Sequence, residues 1–531
     1  MAEFRPKSFP PKPSAPFDPV DIRDEPSLLG HRWLPVFRHN VLFDKSHFLS
    51  AMDYIIRNPN VNSTVIMRTD IMKEIEYSLD ANPSGPIERI EESKVHDVQD
   101  YEVPDLDPTA MPLSSGTVDC PHDVPQSNFL VLSKRVVRRI IPKSPLRDPI
   151  VHQSCLFYKN DAKDAVFIAY LSHFKQIEEC PFYLPPCKAV GLLYYKKTLC
   201  IYYLLFDQQV PDLLEYDQSD RIIRIALHLL ETSYKHSTGT MNGYKKRIHH
   251  DQLVDKIAFQ DQYLYLKQKY ANDIVQNWVE STDPRKHVFE DLSIAAFLME
   301  LWNQMFKSKQ AFQFLDVGCG NGLLVHILIS EGFQGEGIDA RRRKSWSLYS
   351  EKVQSKLHEQ VIVPKHLLQD KDLHKTYVDP EGLTHRYEEL LTDPGVNTLD
   401  LPANTFIIGN HADELTMWIP LLGRPFIIIP CCSHSLGGQK FRYPMTPGQK
   451  FASSTYASLC DYVGRTAAQL GWVVEREVLR IPSTRNIALI GRTKLLTDGV
   501  LTPFQVIQQQ GGAEGWVENT MALKAKLPRN H

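Results

Sequence analysis

The sequence lacks the long apolar runs and paired cysteines that mark membrane and disulfide-linked proteins. No apolar stretch approaches the roughly 20 residues of a membrane-spanning helix. The N-terminus contains prolines and charges and has no apolar centre typical of a signal peptide. The nine cysteines include no C-x-x-C pair, so we expect reduced thiols and no metal site. These absences predict a cytoplasmic protein that contacts no membrane.

A strong net charge is also missing. The formal charge is −3 over 531 residues, and a nucleic-acid-binding chain is more often basic. We expect no DNA partner. The acidic residues are concentrated, however, because residues 82–123 hold ten acidic and two basic residues. We interpret 82–123 as a flexible acidic insertion that biases the total and can hide basic surfaces elsewhere.

The rest of the chain is long enough for two or three domains. Strand-like runs dominate the N-terminal region, and Lys196-Lys197 between aromatic-rich arms indicates a hairpin turn. We predict a disordered proline-rich start (1–25), an α+β N-terminal region (26–81 and 124–240), a helical connector (241–284), an α/β domain (285–495) and a C-terminal tail (496–531).

Two basic clusters accompany the N-terminal region. Six cations fall within residues 134–147, and the sequence GYKKRIHH occupies 243–250. Such clusters bind phosphates or form the solvated face of an ordinary strand, and both interpretations stay open for the first cluster. The candidates for phosphate contact are Arg138, Arg139, Lys245, Lys246 and Arg247.

A glycine loop organises the C-terminal half of the chain. The apolar run from Phe312 to Val317 predicts a buried parallel strand, and an apolar helix is expected at 323–330. Between them lies Gly318-Cys319-Gly320-Asn321-Gly322. A second strand is expected to end at Asp339. Such a βαβ unit brings backbone close to a nucleotide-like ligand at the carboxyl ends of the strands.

The spacing of these glycines is not that of a dinucleotide site. G-x-G-x-x-G would need glycine at position 323, which is leucine. The pattern D-x-G-x-G-x-G, from Asp316 through Gly318, Gly320 and Gly322, resembles motif I of the S-adenosylmethionine (AdoMet) methyltransferases. Asp339 follows Gly322 by 17 residues and is expected to bind the ribose hydroxyls. The alternative is a tight strand–helix turn that binds no ligand.

The surrounding sequence completes an α/β pattern. A helix is predicted over 285–307, with Asp283 as its N-cap and Pro284 at its first position. Further strands are predicted at 361–363, 405–411, 425–430, 472–474 and 487–490. The predicted fold is therefore a Rossmann-like, seven-stranded AdoMet methyltransferase domain preceded by a mixed α+β N-terminal domain.

Several segments together carry a closer resemblance. They are GYKKRIHHD (243–251), WVESTDPRKHVFEDLSIAAFLMEL (278–301), the motif I region through RRRKSW (315–346), IGNHADELTMWIPL (408–421) and PCCSHSLGGQKFRY (430–443). With them the chain resembles the tRNA (uracil-2′-O)-methyltransferases that act on uridine 44 of serine tRNA. The resemblance implies AdoMet as cofactor, tRNA as partner, a cofactor contact from Asn410 and RNA contacts from Arg341, Arg342, Arg343 and Lys344. Solvation alone is the alternative for these four cations.

Methyl transfer to a ribose hydroxyl requires alignment of the reacting atoms and assistance by a base or a cation. Many Rossmann-like ribose methyltransferases use a Lys-Asp-Lys-Glu tetrad. Lys286, Asp413 and Lys440, with Glu475 or Glu477, match its order approximately. Asp413 is the first candidate for orienting the substrate or for accepting the hydroxyl proton. The alternative role of Asp413 is as the N-cap of a helix starting at Glu414. His411 is the alternative base.

Two other functional classes remain open at this stage. One is an AdoMet methyltransferase that acts on a protein or a small molecule. The other is a non-catalytic AdoMet-binding scaffold, which the joint presence of the glycine loop and Asp339 disfavours.

Overall fold

The computed structural model describes residues 16–77, 87–89, 130–206, 213–244, 250–369, 371–444, 454–495 and 499–525. The chain divides into two compact units, 1–245 and 246–531. Most of the proline-rich start and of the acidic insertion lies outside the described residues. Within the insertion, Ile87–Arg89 forms a short strand.

The first unit is an antiparallel sheet with two helices on one face. Its strands are Val20–Asp21 (β1), Trp33–Asn40 (β2), Ile66–Glu76 (β3), Ile87–Arg89 (β4), Val131–Pro142 (β5), Val151–Asn160 (β6), Ala165–Ser172 (β7), Ala189–Tyr195 (β8) and Thr198–Leu204 (β9). Its helices are Lys45–Arg57 (α1) and Arg221–Met241 (α2). The strand order is β1-β2-β9-β8-β7-β6-β5-β3-β4.

Alternating side chains separate the two faces of this sheet, as the two-residue period of a strand requires. On β6, Cys155 and Phe157 pack with both helices, whereas Leu156 and Tyr158 belong to the cluster on the opposite face. The turn at Lys196-Lys197 has positive φ at both residues, 45° and 66°. It joins β8 to β9, which confirms the predicted hairpin.

The second unit mixes helices and mostly short strands. Its helices are Lys256–Gln276 (α3), Pro284–Met305 (α4), Leu323–Ser330 (α5), Glu351–Gln354 (α6), Thr455–Gln469 (α7), Pro503–Gln509 (α8) and Trp516–Ala525 (α9). Its strands are Gln313–Val317 (β10), Gly335–Asp339 (β11), Leu357–Glu359 (β12), Val361–Ile362 (β13), Thr376–Val378 (β14), Thr384–Arg386 (β15), Val396–Asn397 (β16), Thr405–Asn410 (β17), Phe426–Ile429 (β18), Trp472–Val478 (β19) and Ile487–Lys494 (β20).

The main sheet of this unit has the strand order β12-β11-β10-β17-β18-β20-β19. The pairs from β12 to β18 are parallel, and β20 is antiparallel to both of its neighbours. From β10 the chain adds β11 and β12 on one side of the sheet and then returns to add β17 on the other side of β10. The strand order therefore switches between β10 and β17. Ligands bind at such a switch point, beyond the carboxyl ends of the strands.

Helices cover both faces of this sheet. Phe406, Ile408 and Ile427 pack with α4 and α5, while Ile407 and Ile428 pack on the other face with α7 and α8. Helix α4 begins as predicted, because Asp283 accepts a hydrogen bond from the backbone N of Arg285 (3.0 Å). This helix brings its first turns to the glycine loop.

Two expectations for this unit are wrong. The third strand was expected at 361–363, but the sheet ends with β12, and Val361–Ile362 pairs with β16 in a separate two-stranded sheet. The region 496–531 was expected to be a tail. It contains α8 and α9, and Trp516 on α9 is buried.

Within the part of the chain that the structure describes, no helix combines the length and the apolar character required to cross a membrane.

Candidate active site

The glycine loop between β10 and α5 depends on left-handed backbone. Gly318, Gly320 and Gly322 have φ values of 76°, 54° and 72°, a region that other residues enter only with strain. A Cβ at Gly320 would meet no atom within 4 Å, so this glycine opens onto free space. A Cβ at Gly322 would lie 3.0 Å from Leu357 and 3.2 Å from Nε1 of Trp346. Gly322 therefore serves close packing.

Side chains at the end of the RRRKSW segment, together with Tyr349 just after it, donate hydrogen bonds to the carbonyl oxygens of this loop. Nε1 of Trp346 donates to the carbonyl oxygen of Gly320 (3.0 Å), and the Tyr349 hydroxyl donates to that of Asn321 (3.0 Å). Oγ of Ser345 lies 2.8 Å from the same Asn321 oxygen. These three side chains fix the loop carbonyls, a role that sequence reasoning did not assign to them.

A cleft of about 730 Å³ opens beyond the carboxyl ends of β10, β11 and β17. This is the size of a small-molecule or cofactor site. It is lined by the predicted cofactor residues Asp316, Gly318, Gly320, Asp339 and Asn410, and by the predicted catalytic residues Lys286, His411 and Asp413. Gly322 and Lys440 do not line it.

Asp316 lies near the end of β10 as a buried acid. Its residue exposure is 1%, and Oδ1 has no hydrogen-bond partner among the residues that the structure describes. Burial raises the pKa of Asp316 well above its usual range, and Asp291 and Asp339 raise it further. A buried, unpaired acid at a cleft is expected to bind a cationic or hydrogen-bond-donating ligand.

Two acids on α4, Glu290 and Asp291, also line the cleft. Both are buried, and Nδ2 of Asn410 donates to Oδ1 of Asp291 (3.2 Å). Burial, with the nearby Glu290, raises the pKa of Asp291 to about 8, against the effect of Asn410. Sequence reasoning missed both acids. Their signal was two adjacent carboxylates in the otherwise apolar stretch HVFEDLSIAAF.

Asp339 is held by backbone donors. Its Oδ2 accepts from the N–H of Gly320 (2.9 Å) and its Oδ1 from the N–H of Arg341 (3.0 Å). Burial raises the pKa of Asp339 above its usual value, although Arg343 and these backbone donors act in the opposite direction. The carboxylate is thus fixed in direction at the end of β11, and each oxygen keeps further capacity to accept a ligand hydroxyl.

His411 and Asp413 follow β17 in strained backbone. Their φ values are 52° and 42°, which is uncommon for residues with a Cβ and clusters at functional sites. Nε2 of His411 lies 3.0 Å from Oε1 of Glu290. Oδ1 of Asp413 accepts a hydrogen bond from the Cys431 thiol at 2.8 Å. Asp413 is the first residue of a short 3₁₀ helix whose N-cap is Ala412, so it is not the N-cap considered above.

The expected Lys-Asp-Lys-Glu tetrad does not assemble in this structure. Lys440 is exposed, lies outside the cleft lining and forms a β-bridge with His434. Glu475 pairs with Arg492, and Glu477 accepts the backbone N–H groups of Gln252 and Leu253. The assignment of Lys440 as catalytic is therefore corrected, whereas Lys286 stays at the cleft.

The predicted RNA contacts have different surroundings. Arg341 and Arg343 line the cleft, whereas Arg342 and Lys344 are exposed outside its lining. Arg139 pairs with Asp70 (2.8 Å). Lys245, Lys246 and Arg247 lie outside the described residues.

The assignment of Arg138 to RNA contact is wrong in this structure. The residue is 6% exposed, and it donates to the Gln153 side chain and the Ile56 carbonyl. Its guanidinium is hydrogen-bonded inside the first unit and is not available to an RNA phosphate.

One arrangement bears on the prediction of no metal site. The donor atoms of Asp413, Cys431 and Cys432 lie within 4.8 Å of one another. Arg485 lies beside them and donates to the carbonyl oxygen of Cys431 (2.5 Å). Three donors can ligate a metal ion with an open position, but the adjacent guanidinium disfavours a second cation. The eight cysteines that the structure describes are all free.

Comparison with known proteins gives two family matches. Residues 10–247 match the model described as "TRM44-like, N-terminal bet v1-like domain". Residues 253–364 match the model described as "Predicted AdoMet-dependent methyltransferase". The two matches fall almost entirely within the two compact units.

Relatives that align over nearly their full length are also found among curated proteins. The chain is 44% identical to a tRNA (uracil-O(2)-)-methyltransferase of Yarrowia lipolytica, over 97% of this chain and 100% of the relative. It is 42% identical to the protein of that name from Saccharomyces cerevisiae, over 96% of each chain. Identity to the Schizosaccharomyces pombe protein of that name is 34%, over 94% of each.

Proposed function

This chain belongs to the tRNA (uracil-O(2)-)-methyltransferase family, and we propose that it methylates the ribose 2′-oxygen of uridine 44 in serine tRNA, in the cytoplasm. The reaction class and the AdoMet cofactor follow from the family. The single observation that carries the function is identity of 34–44% over nearly the full length of relatives that share one name. The choice of tRNA and nucleotide rests on the resemblance of the motifs.

The cleft residues fit AdoMet by charge and by shape. The cofactor carries a sulfonium and an ammonium group, and the cleft contains four buried or largely buried acids, including Asp316 with an unpartnered oxygen. We assign Asp316 and Asp291 to the cationic amino-acid end and Asp339 to the ribose hydroxyls. Gly318 and Gly320 are proposed to let the cofactor lie close to the loop backbone. Asn410, which donates a hydrogen bond to Asp291, is proposed to lie between the cofactor and the substrate.

The bound cofactor supplies an activated methyl group, so the protein's task is alignment and proton removal. Lys286 is exposed at the cleft and makes no ion pair among the described residues. We assign it to a substrate phosphate or to the developing charge on the 2′-oxygen. Arg341, Arg342, Arg343 and Lys344 are proposed to hold the RNA backbone near the cleft, because phosphate contacts fix register.

The fold proposal follows the same logic. The seven-stranded sheet, with one antiparallel strand and a switch point at the cleft, supports a Rossmann-like methyltransferase domain. The first unit, which matches a bet v1-like family model, is proposed to bind the tRNA body. Arg139 remains a candidate there, as do Lys245, Lys246 and Arg247.

The test is methyl transfer from labelled AdoMet to total tRNA, followed by nucleoside analysis. We expect 2′-O-methyluridine, and Asp316→Asn should abolish it. A serine tRNA transcript with uridine 44 replaced by cytidine should accept no methyl group. Product at another nucleotide would contradict the site, and labelled protein or metabolite without labelled tRNA would contradict the substrate class.

A further inference from the structure

We infer that His411 is the base that accepts the proton of the 2′-hydroxyl and that Glu290, which no sequence motif indicated, is the positioning residue that fixes the His411 ring. The inference rests on the proposed function. It is carried by the geometry of one side-chain pair at the cleft. One nitrogen of His411 contacts a buried carboxylate, and the other, itself buried, has no partner among the residues that the structure describes.

The contact between the two side chains fixes the tautomer. Nε2 of His411 lies 3.0 Å from Oε1 of Glu290, and Glu290 is 5% exposed on α4. An ionised Glu290 can only accept this hydrogen bond, and Nε2 then carries the proton while Nδ1 has the free lone pair. Nδ1 of His411 is buried at the cleft wall and has no hydrogen-bond partner in the described residues. A substrate hydroxyl is the partner that this reaction supplies.

The backbone supports the same assignment. His411 has φ of 52°, and its N–H donates to the carbonyl oxygen of Ile429 at 3.1 Å. The bond anchors the strained residue to β18. Left-handed backbone in a residue with a Cβ costs on the order of 1 kcal/mol. The strain persists here because β17, β18 and Glu290 all hold the residue at the cleft.

The neighbouring candidates fit the base role less well. Asp413 already accepts the Cys431 thiol, and a carboxylate is a weaker base than an imidazole. Lysine is protonated near neutral pH and has no lone pair to offer, so Lys286 suits charge stabilisation. Lys440 lies outside the cleft lining.

Charged groups surround His411 on several elements. Helix α4 contributes Glu290, which favours the imidazolium, Asp291, whose pKa of about 8 leaves it uncharged at lower pH, and Lys286 and His287, which oppose the imidazolium. Asp316 lies near the end of β10 and Asp413 shares the loop, while Cys431 contacts Asp413, and Arg485 donates to the Cys431 carbonyl oxygen. Glu290 is the group in direct hydrogen-bond contact, so it should dominate the stability of the imidazolium.

The proton and electron movements balance. A lone pair of the 2′-oxygen forms the new bond to the methyl carbon, while the carbon–sulfur bond breaks and its electron pair stays on sulfur. The O–H bond breaks as its proton moves to Nδ1 of His411, and that electron pair remains on oxygen. The imidazolium, paired with Glu290, then releases the proton to solvent.

Single-turnover methyl transfer to tRNA over a range of pH tests the inference. For His411→Gln we expect a rate loss of about 100-fold or more, with the AdoMet Kd within threefold of wild type by calorimetry. Glu290→Gln should lose about tenfold and move the acid limb of the pH profile to lower pH, because the imidazolium loses its counter-charge. Glu290→Asp should recover part of the rate and shift the limb back.

A matched control is His385→Gln. His385 also lies between carboxylates, 3.0 Å from Glu389 and 3.0 Å from Asp379, but outside the cleft lining. The rate of methyl transfer by His385→Gln should therefore equal that of wild type. A His411→Gln rate within threefold of wild type, or a Glu290→Gln loss with an unshifted pH profile, would overturn the inference alone. Wild type that makes no product on tRNA would overturn the proposed function and this inference with it.

Discussion

The indole N–H of Trp346 donates a hydrogen bond of 3.0 Å to the carbonyl oxygen of Gly320, the middle glycine of the cofactor loop. Trp346 is buried, with 1% of its surface exposed. The two ends of the segment RRRKSW therefore have different roles. Its arginines lie at or beside the cleft, while its Ser-Trp end supports the loop from behind.

Trp346→Phe should therefore weaken both the fold and cofactor binding. The change leaves the Gly320 carbonyl without its donor, which costs about 1 kcal/mol. Thermal unfolding and AdoMet titration by calorimetry measure the two effects. Trp302→Phe is the matched control, because Nε1 of this buried tryptophan has no partner in the described residues. Equal losses of AdoMet affinity in both variants would contradict the role given to Trp346.

The glycines of the loop should differ in their tolerance of alanine. Gly320→Ala adds only the strain of left-handed backbone, on the order of 1 kcal/mol, because no atom lies within 4 Å of the new Cβ. Gly322→Ala adds the same strain and also crowds Leu357 and Trp346. We expect Gly322→Ala to lower the free energy of unfolding by about 1–3 kcal/mol more than Gly320→Ala.

Urea unfolding of the two variants provides the comparison. Gly320→Ala should instead show its larger effect on AdoMet binding, since that Cβ points to space the cofactor is proposed to occupy. The opposite ranking, with Gly320→Ala less stable than Gly322→Ala, would contradict these assignments.

Asp316→Asn should weaken AdoMet binding at least tenfold. The substitution keeps the shape of the side chain but removes the acid whose ionised form is proposed to meet the cationic end of the cofactor. Calorimetric titration of the variant measures this directly. Asp461→Asn, which changes an ion pair with Arg476 away from the cleft lining, should bind like wild type. An unchanged Kd in Asp316→Asn would remove Asp316 from the cofactor site.

In the cofactor-free protein, the contribution of Asp291 to stability should fall as pH rises from about 4 to about 8. The pKa of Asp291 is raised from 3.8 to about 8 in the folded state, so the folded state binds the proton more tightly than the unfolded chain. This contribution is fully present below pH 3.8 and is lost as pH rises through the folded value. Asp291→Asn should flatten the fall and raise Tm near pH 8 by several degrees.

Thermal unfolding of wild type and Asp291→Asn across this range, without cofactor, checks the sign. A variant that follows the wild-type pH profile in parallel would show that Asp291 is not the buried neutral acid described. Bound AdoMet should reduce the difference, because a cation near Asp291 stabilises its ionised form.

The sequence predicted well those elements whose local signals are strong. The β10–α5–β11 unit was expected at its observed residues because an apolar strand, a glycine loop and an apolar helix follow one another. Strand β12, Leu357–Glu359, has only one apolar residue and occupies the sheet edge. The more apolar Val361–Ile362 was mistaken for it, since burial alone cannot say which strand is the partner.

Site residues that belong to a sequence motif were predictable, whereas residues that only folding brings together were not. Asp316 belongs to motif I, Asp339 follows it at the end of the next strand, and both line the cleft. Glu290 and Asp291 sit on a helix of mostly buried residues, and only the approach of α4 to β17 shows that they meet His411 and Asn410. Lys440 failed because order along the chain does not fix which residues reach the cleft.

The C-terminal segment provides the last prediction, because it was expected to be a tail and instead forms one wall of the cleft. Trp516 is 2% exposed, donates to the carbonyl oxygen of Ile362 (3.0 Å) and packs against Trp418 at 5.2 Å between ring centroids. Trp516→Ala should lower the free energy of unfolding by about 3–5 kcal/mol and weaken AdoMet binding. Trp516→Phe, which keeps the aromatic contact but loses the hydrogen bond, should lose about 1–3 kcal/mol. Urea unfolding in which Trp516→Ala matches wild type would restore the view that this segment is a dispensable tail.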